Sequence, residues 1–118
     1  MGDFLTPPEL EARLAACVNR IAHGVSVCDQ RYRARLEAAA GYDRAFARAY
    51  LAHEGPAHEK RYAAELATEA ERSARDVADA AHRYADTTSR ALRDELEALR
   101  SLGASLRAQF ATAGVGER

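Results

Sequence analysis

Tryptophan is absent from this sequence, and proline, cysteine, phenylalanine and lysine are scarce. The 118 residues include three Pro, two Cys and three Phe, and Lys60 is the only lysine. So few large aromatic side chains exclude a thick globular core, and so few prolines leave long stretches free to form helix. Cys17 and Cys28 provide neither a disulfide framework nor a C-x-x-C pair. We therefore expect reduced thiols that pack inside the protein.

A strong excess of one charge and a long apolar run are also missing. The chain has 17 basic and 18 acidic residues, for a formal net charge of −1. Such a balance creates no global field that would attract nucleic acid or an anionic membrane, so any nucleic-acid binding would need a local patch. No apolar run approaches the roughly 20 residues of a membrane span, and no signal-peptide pattern opens the chain. We expect a cytoplasmic protein without a membrane partner.

Helical signals fill most of the chain. The sequence TPPELEARL predicts a helix over about residues 7–23, because Thr6 can cap it and Glu9 completes a capping box. Its apolar residues at helical spacing are Leu10, Leu14, Val18 and Ile21. Gly24 then predicts a break or kink, and a second helix follows over about residues 25–53. The apolar positions of this second helix are Cys28, Tyr32, Leu36, Ala39, Tyr42, Phe46 and Ala49.

Gly55-Pro56 marks a turn, which we place at residues 54–56. Glycine suits the position that ends a helix, and proline suits the first turn of the next one. A long helix over about residues 57–113 follows. We expect any interruption of this helix at 84–89, because Asp, Thr and Ser there compete for backbone hydrogen bonds. Its apolar positions are Tyr62, Leu66, Ala70, Ser73, Val77, Ala81, Tyr84, Thr88, Leu92, Leu96, Leu99, Leu102, Leu106 and Phe110.

The apolar positions on either side of the turn can be paired. Folding the chain back at Gly55 brings Tyr32 near Ala81 and Leu36 near Val77, so that large residues meet small ones. The predicted fold is therefore all-α: an antiparallel, coiled-coil-like helical hairpin with a short N-terminal helix and a long C-terminal helix, in one domain over residues 1–118.

The last third of the long helix carries the richest leucine stripe, and the second helix is too short to cover it. An uncovered stripe of this length would be an exposed apolar patch. The first helix can cover part of it, and copies of the same chain can cover the rest. We expect a homo-oligomer held by Leu92, Leu96, Leu99, Leu102, Leu106 and Phe110.

His53-Glu54 and His58-Glu59 resemble a zinc motif only superficially. The metalloprotease pattern needs its histidines four residues apart on one unbroken helix. Here they are five apart with Gly55-Pro56 between them, so we predict no metal site. The chain also lacks a nucleophile elbow, a phosphate loop and a dinucleotide fingerprint. We expect no catalytic residues, no cofactor and no enzyme activity.

Basic residues are locally enriched before the turn. Residues 25–52 hold five arginines and three acids. Arg44 and Arg48 share a helix face, Lys60 and Arg61 follow the turn, and Tyr50 lies beside it. Arginines near aromatic rings suit single-stranded nucleic acid, through phosphate contacts and base stacking. The alternative is a solvated helix face.

The order of these elements resembles small helical proteins of tailed phages, specifically UvsY-type recombination mediators. That family has a basic-aromatic run before a glycine-rich turn, where ARAYLAHEG stands here. Its leucine-rich final helix carries a Ser-x-Gly-x-x-φ-[Lys/Arg] segment, matched by Ser101, Gly103, Leu106 and Arg107.

The resemblance implies a ring-forming, non-enzymatic protein of the host cytoplasm that binds single-stranded DNA. Its further partners would be a recombinase and a single-strand-binding protein, with Arg48 as the DNA contact that carries over from the family's basic run. A structural coiled-coil adaptor, such as a scaffold or assembly chaperone, is the alternative function.

Overall fold

The computed structural model describes residues 5–116 and the side chains of residues 5–112. This part of the chain forms three helices and no strand: α1 is Pro7–Ala52, α2 is Ala57–Ala67 and α3 is Glu69–Gly116. Helix α1 packs against α3 in a hairpin-like arrangement. The predicted all-α helical hairpin is confirmed.

The start of α1 is fixed by the capping box expected from the sequence. The Glu9 amide donates to Thr6 Oγ1 at 3.3 Å, and the Thr6 amide donates to Glu9 Oε2 at 3.3 Å. These reciprocal bonds satisfy two amides near the helix start that have no partner within the helix.

The predicted break near Gly24 is wrong, because α1 runs through residues 23–26 without interruption. The helices expected over about 7–23 and 25–53 are therefore one helix. A Cβ at Gly24 would lie 3.2 Å from Ser89 Oγ, so glycine permits a close helix approach here. Glycine inside a helix costs only about 1 kcal/mol relative to alanine, which packing can offset.

The turn predicted at residues 54–56 lies between α1 and α2. Helix α1 ends at Ala52 and α2 begins at Ala57. Gly55 has φ +144°, a conformation that residues with a Cβ rarely adopt. The pair Gly55-Pro56 therefore lies at the predicted turn, but Gly55 lies within the turn and Pro56 directly precedes α2, instead of ending one helix and beginning the next.

The helix after the turn is interrupted at Thr68, whereas residues 84–89 stay helical. Thr68 Oγ1 donates to the Ala64 carbonyl at 2.6 Å, a back-bond that bends helices. Its backbone lies at φ −116° and ψ 24°, outside the helical region. The Arg72 guanidinium donates to the Glu65 carbonyl at 2.9 Å. A side chain thus satisfies one carbonyl beside the break.

The chain divides into two compact units. Unit 1 combines the chain up to Val25 with the chain from Thr87 onward, and unit 2 is Ser26–Asp86. In unit 1 the core contains Cys17 in the place predicted for Val18, which is half exposed. The Cys17 thiol donates to the Leu92 carbonyl at 3.3 Å. The residues of this core are Leu5, Leu10, Leu14, Cys17, Ile21, Leu96, Leu99 and Leu106.

Unit 2 is held together by small residues and by polar–aromatic contacts. Ala64, Thr68 and Ala85 are buried. The Tyr32 and His82 rings have centroids 5.5 Å apart, one residue from the predicted partner Ala81. Two further contacts between α1 and α3 are Arg75 over the Tyr42 ring at 4.5 Å and Arg35 with Asp79 at 3.5 Å.

The packed face of α2 and α3 in unit 2 differs from the predicted one. Tyr62, Leu66, Val77 and Tyr84 were expected to pack against α1, yet they are 62–76% exposed. One row of buried or half-buried positions recurs every three or four residues: Ala64, Thr68, Glu71, Arg75, Ala78, His82 and Ala85. Its members Ala64, Glu71, Ala78 and Ala85 continue the seven-residue spacing of Leu92 and Leu99 towards the N-terminus. If the packed face moved to the predicted residues in unit 2 while Leu92 and Leu99 stayed packed in unit 1, the helix would have to unwind or overwind locally.

Candidate nucleic-acid interface

Arg44 and Arg48 lie one helical turn apart on α1, and both are exposed. Within residues 5–112 neither takes part in an ion pair, whereas Arg33 is 3.1 Å from Asp29 and other arginines have similar acidic neighbours. Two unpaired guanidinium groups on one face are available to bind phosphate, because planar N–H donors match phosphate oxygens.

The turn brings Lys60 against the end of α1. Its ammonium lies 5.8 Å from the centroid of the Tyr50 ring, a cation–π distance. On α1 the Phe46 and Tyr50 rings stack at 6.4 Å. Both Tyr50 and Lys60 are half-buried. The structure thus unites these two predicted residues, but the Tyr50 ring already has contacts within the chain.

Arg61 is less suited to a phosphate than the sequence pattern suggested. Its Nε lies 3.3 Å from Glu65 Oε1, an i,i+4 pair on α2. Residues 43–65 hold four basic and four acidic residues. The basic surface is therefore narrow, and Arg44 and Arg48 are its unpaired members.

His53 and His58 lie in different environments at the turn. His53 Nε2 is buried, lies 3.8 Å from Glu59 Oε2 and has no hydrogen-bond partner among the described residues. His58 is exposed. Within the described residues, no three His, Cys, Asp or Glu side chains form a cluster that could hold a metal ion.

The leucines predicted to join copies of the chain are largely covered within one chain. Leu92 and Leu99 are buried, and Leu96 and Leu106 pack against the core of unit 1. Helix α1 therefore covers the part of the leucine stripe that includes these four residues, as the first helix was expected to do for part of it.

Leu102 and Phe110 are the two exposed members of that predicted set. Gly103 holds the buried position assigned to Leu102, and its Cβ would lie 3.3 Å from Leu10 Cδ2. A larger side chain at residue 103 would require Leu10 to shift, so a small residue suits this buried position, and the apolar character of Leu102 was a misleading guide to its burial.

A second exposed feature escaped the sequence reasoning because all of its residues except Ala80 had been assigned to the packed face. We name it the outer stripe. It comprises Leu66, Ala70, Ser73, Val77, Ala80 and Tyr84, all of them exposed. The steps between them are 4, 3, 4, 3 and 4, the spacing of a coiled-coil face. In the sequence, this stripe and the packed face are two overlapping heptad patterns that run along α2 and α3.

The pKa values of Asp79 and Cys17 are shifted from their ordinary values. The hydrogen bond from Arg83, helped by the nearby charge of Arg35, lowers the pKa of Asp79. Burial, together with the neighbouring Glu95 carboxylate, raises the pKa of the Cys17 thiol. Cys17 therefore stays protonated at neutral pH, which removes it from nucleophilic chemistry.

No helix in the described part of the chain is both long and apolar enough to cross a membrane. Comparisons of the chain with protein-family models, with curated proteins and with solved structures found no match.

Proposed function

We propose that this protein binds single-stranded DNA and assists the loading of a recombinase onto strands covered by a single-strand-binding protein. The observation that carries the DNA-binding step is the pair Arg44 and Arg48, exposed on one face and unpaired within the described residues. The resemblance to UvsY-type mediators supplies the recombinase and the single-strand-binding protein as partners.

DNA would be held mainly through its phosphates. The two guanidinium groups can each bind a phosphate, and Lys60 adds a third cation at the turn. Such contacts carry no sequence information, so affinity should depend on salt far more than on base sequence. Because Tyr50 already contacts Lys60 and Phe46, we assign stacking on a base a minor role.

One chain offers few cations, so binding by a single copy would be weak. An assembly that repeats the patch gains from effective concentration along a continuous strand. Repetition also reconciles a net charge of −1 with a polyanionic ligand, because the local field at Arg44 and Arg48 matters more than the total.

Fluorescence anisotropy with a labelled oligothymidylate, measured at a series of salt concentrations, tests this proposal. The Arg44→Ala/Arg48→Ala variant should bind more weakly and lower the salt slope by about 1.4 for each subunit, since each phosphate contact in single strands contributes roughly 0.7. Arg13→Ala/Arg93→Ala is the matched control, because it also removes two exposed arginines that lack ion pairs within the described residues. Equal losses in both variants, or no binding by wild type at low salt, would refute the proposal.

A structural or assembly adaptor is the second candidate function. The outer stripe favours it, because a coiled-coil face open to solvent is suited to another helix. Loss of partner capture in cells on Val77→Ser, with DNA binding unchanged, would support this function. Capture that is insensitive to Val77→Ser would count against it.

A further inference from the structure

The outer stripe places three strongly exposed large apolar side chains on one face of α2 and α3. Leu66, Val77 and Tyr84 are 66–76% exposed. The residues that pack against α1 from the same helices are smaller or polar, such as Ala78, Ala85 and Thr68. The larger apolar groups thus face away from the hairpin, the reverse of the arrangement in a helix that serves only its own core.

We propose that the outer stripe binds a second copy of this chain, with the two α3 helices antiparallel. The seven positions of a coiled-coil repeat are lettered a to g, and positions a and d face the partner helix. On this face the a positions are Ala70, Val77 and Tyr84, and the d positions are Leu66, Ser73 and Ala80. Antiparallel helices pair a with d, and the spacing allows this around a two-fold axis near residue 75. The resulting layers are Leu66 with Tyr84, Ala70 with Ala80 and Ser73 with Val77, each formed twice.

Charges beside the stripe match in the same register. The flanking g positions are Glu69, Asp76 and Arg83, and the two-fold axis places Glu69 of one copy beside Arg83 of the other. Arg83 bonds Asp79 within its own chain, and the guanidinium has further donors for a second carboxylate. Because the axis duplicates the contact, two such ion pairs form in each dimer.

The opposite flank favours close approach. Ala67, Ala74 and Ala81 occupy its successive e positions. With only methyl groups on this side, the helix backbones can come closer than they could with long side chains. In a parallel pairing the g positions would face the alanines at the e positions, so Glu69 and Arg83 would gain no ion pair across the interface. The charges therefore favour the antiparallel arrangement.

One contact opposes the pairing. Asp76 lies on the axis, so the two copies bring their Asp76 carboxylates together. Each is 3.2 Å from Arg75 Nε of its own chain, which reduces the repulsion. From Ala70 to Tyr84 the stripe follows α3 for about 21 Å at 1.5 Å per residue. Several of its layers hold only alanine or serine, so the apolar area that it can bury is small for a specific interface. The dimer should therefore exchange with monomer in the micromolar range or above.

Sedimentation equilibrium across micromolar to millimolar concentrations, without DNA, tests the register through a charge exchange. Glu69→Arg alone and Arg83→Glu alone should each weaken the dimer about tenfold or more, because each creates two like-charge contacts. The double variant Glu69→Arg/Arg83→Glu should restore wild-type association. Circular dichroism checks that each variant keeps its helix content.

A failure of the double variant to restore association would overturn the register, and a wild type that is monomeric throughout would overturn the dimer. Asp76→Asn should tighten the dimer, since it removes the repulsion at the axis. Tyr84→Ala should weaken it, whereas Leu51→Ala, at an equally exposed residue outside the stripe, should not. Equal effects of these two alanine variants would also contradict the proposal.

Discussion

Gly55 and Gly103 show how the absence of a side chain has two distinct uses in this protein. Gly55 adopts φ +144° in the turn. Gly103 lies inside α3, where its missing Cβ leaves room for Leu10. The sequence reveals the first use through the adjacent Pro56, but the second depends on a helix that is distant in sequence.

The turn should be sensitive to the side chain at residue 55. Gly55→Ala forces a Cβ into an unfavourable conformation and brings it 2.6 Å from Glu59 Oε2, so we expect it to lower the free energy of unfolding by about 1–3 kcal/mol. Gly41→Ala is the control, because a Cβ there has open space on a helix and should stabilise by about 0.5–1 kcal/mol. Urea denaturation measures both, and equal values would contradict the assigned role of Gly55.

Cys17 should be chemically protected and should link stability to alkaline pH. Its pKa in the folded protein lies above the ordinary value of 9.0, so its contribution to stability is present below pH 9 and is lost as pH rises through the folded pKa. Native Cys17 should react with iodoacetamide about tenfold more slowly than Cys28. In Cys17→Ala the alkaline loss of stability should shrink, and rapid alkylation of native Cys17 would contradict this view.

At the scale of the helices, one heptad spacing decides what is buried. In unit 1 it selects Leu10, Cys17, Leu92 and Leu99, and in unit 2 the same spacing selects smaller or polar residues. Whether a residue is buried therefore depends more on its place in the seven-residue repeat than on the size of its side chain.

Two leucines about one turn apart on α3 test whether position in the repeat decides burial. Leu99 is 8% exposed and Leu102 is 39% exposed. Leu99→Ala should lower the free energy of unfolding by about 2–5 kcal/mol because it leaves a cavity in the core. Leu102→Ala should cost less than about 1 kcal/mol. Chemical denaturation gives both values; similar losses would place Leu102 in an interface instead.

The hairpin could be predicted from the sequence, but the phase of its packing could not. Gly55-Pro56 and the helical periodicity on both sides specify a reversal between two helices. Val77 and Tyr84 are more apolar than their neighbours Ala78 and Ala85, so hydrophobicity alone favours the wrong face. Only the contact with α1 decides between the two faces.

For the candidate site, the exposure of Arg44 and Arg48 could be predicted from the sequence pattern. The Arg61–Glu65 ion pair could also have been predicted, because the two residues are four apart on one helix.

For the whole molecule, salt should separate folding from DNA binding. Ion pairs such as Arg33 with Asp29 and Arg100 with Glu97 are solvent-exposed, and such pairs contribute little to stability. Raising salt from about 50 to 200 mM should therefore leave the melting temperature nearly unchanged while it weakens DNA binding markedly. Circular dichroism melts and anisotropy titrations in the same buffers measure the two effects. A parallel loss of both would indicate that salt acts on the fold.

The heptad spacing of the packed face also limits how this protein can change length. Removal of one residue from α3 would rotate every later side chain by about 100° and turn Leu99 away from α1. A deletion of seven residues restores the face, provided that seven are also lost from the opposing stretch of α1. Length variants that arise by mutation should therefore survive as matched seven-residue changes in the two helices, and the loop at Gly55 is the place where single insertions are tolerated.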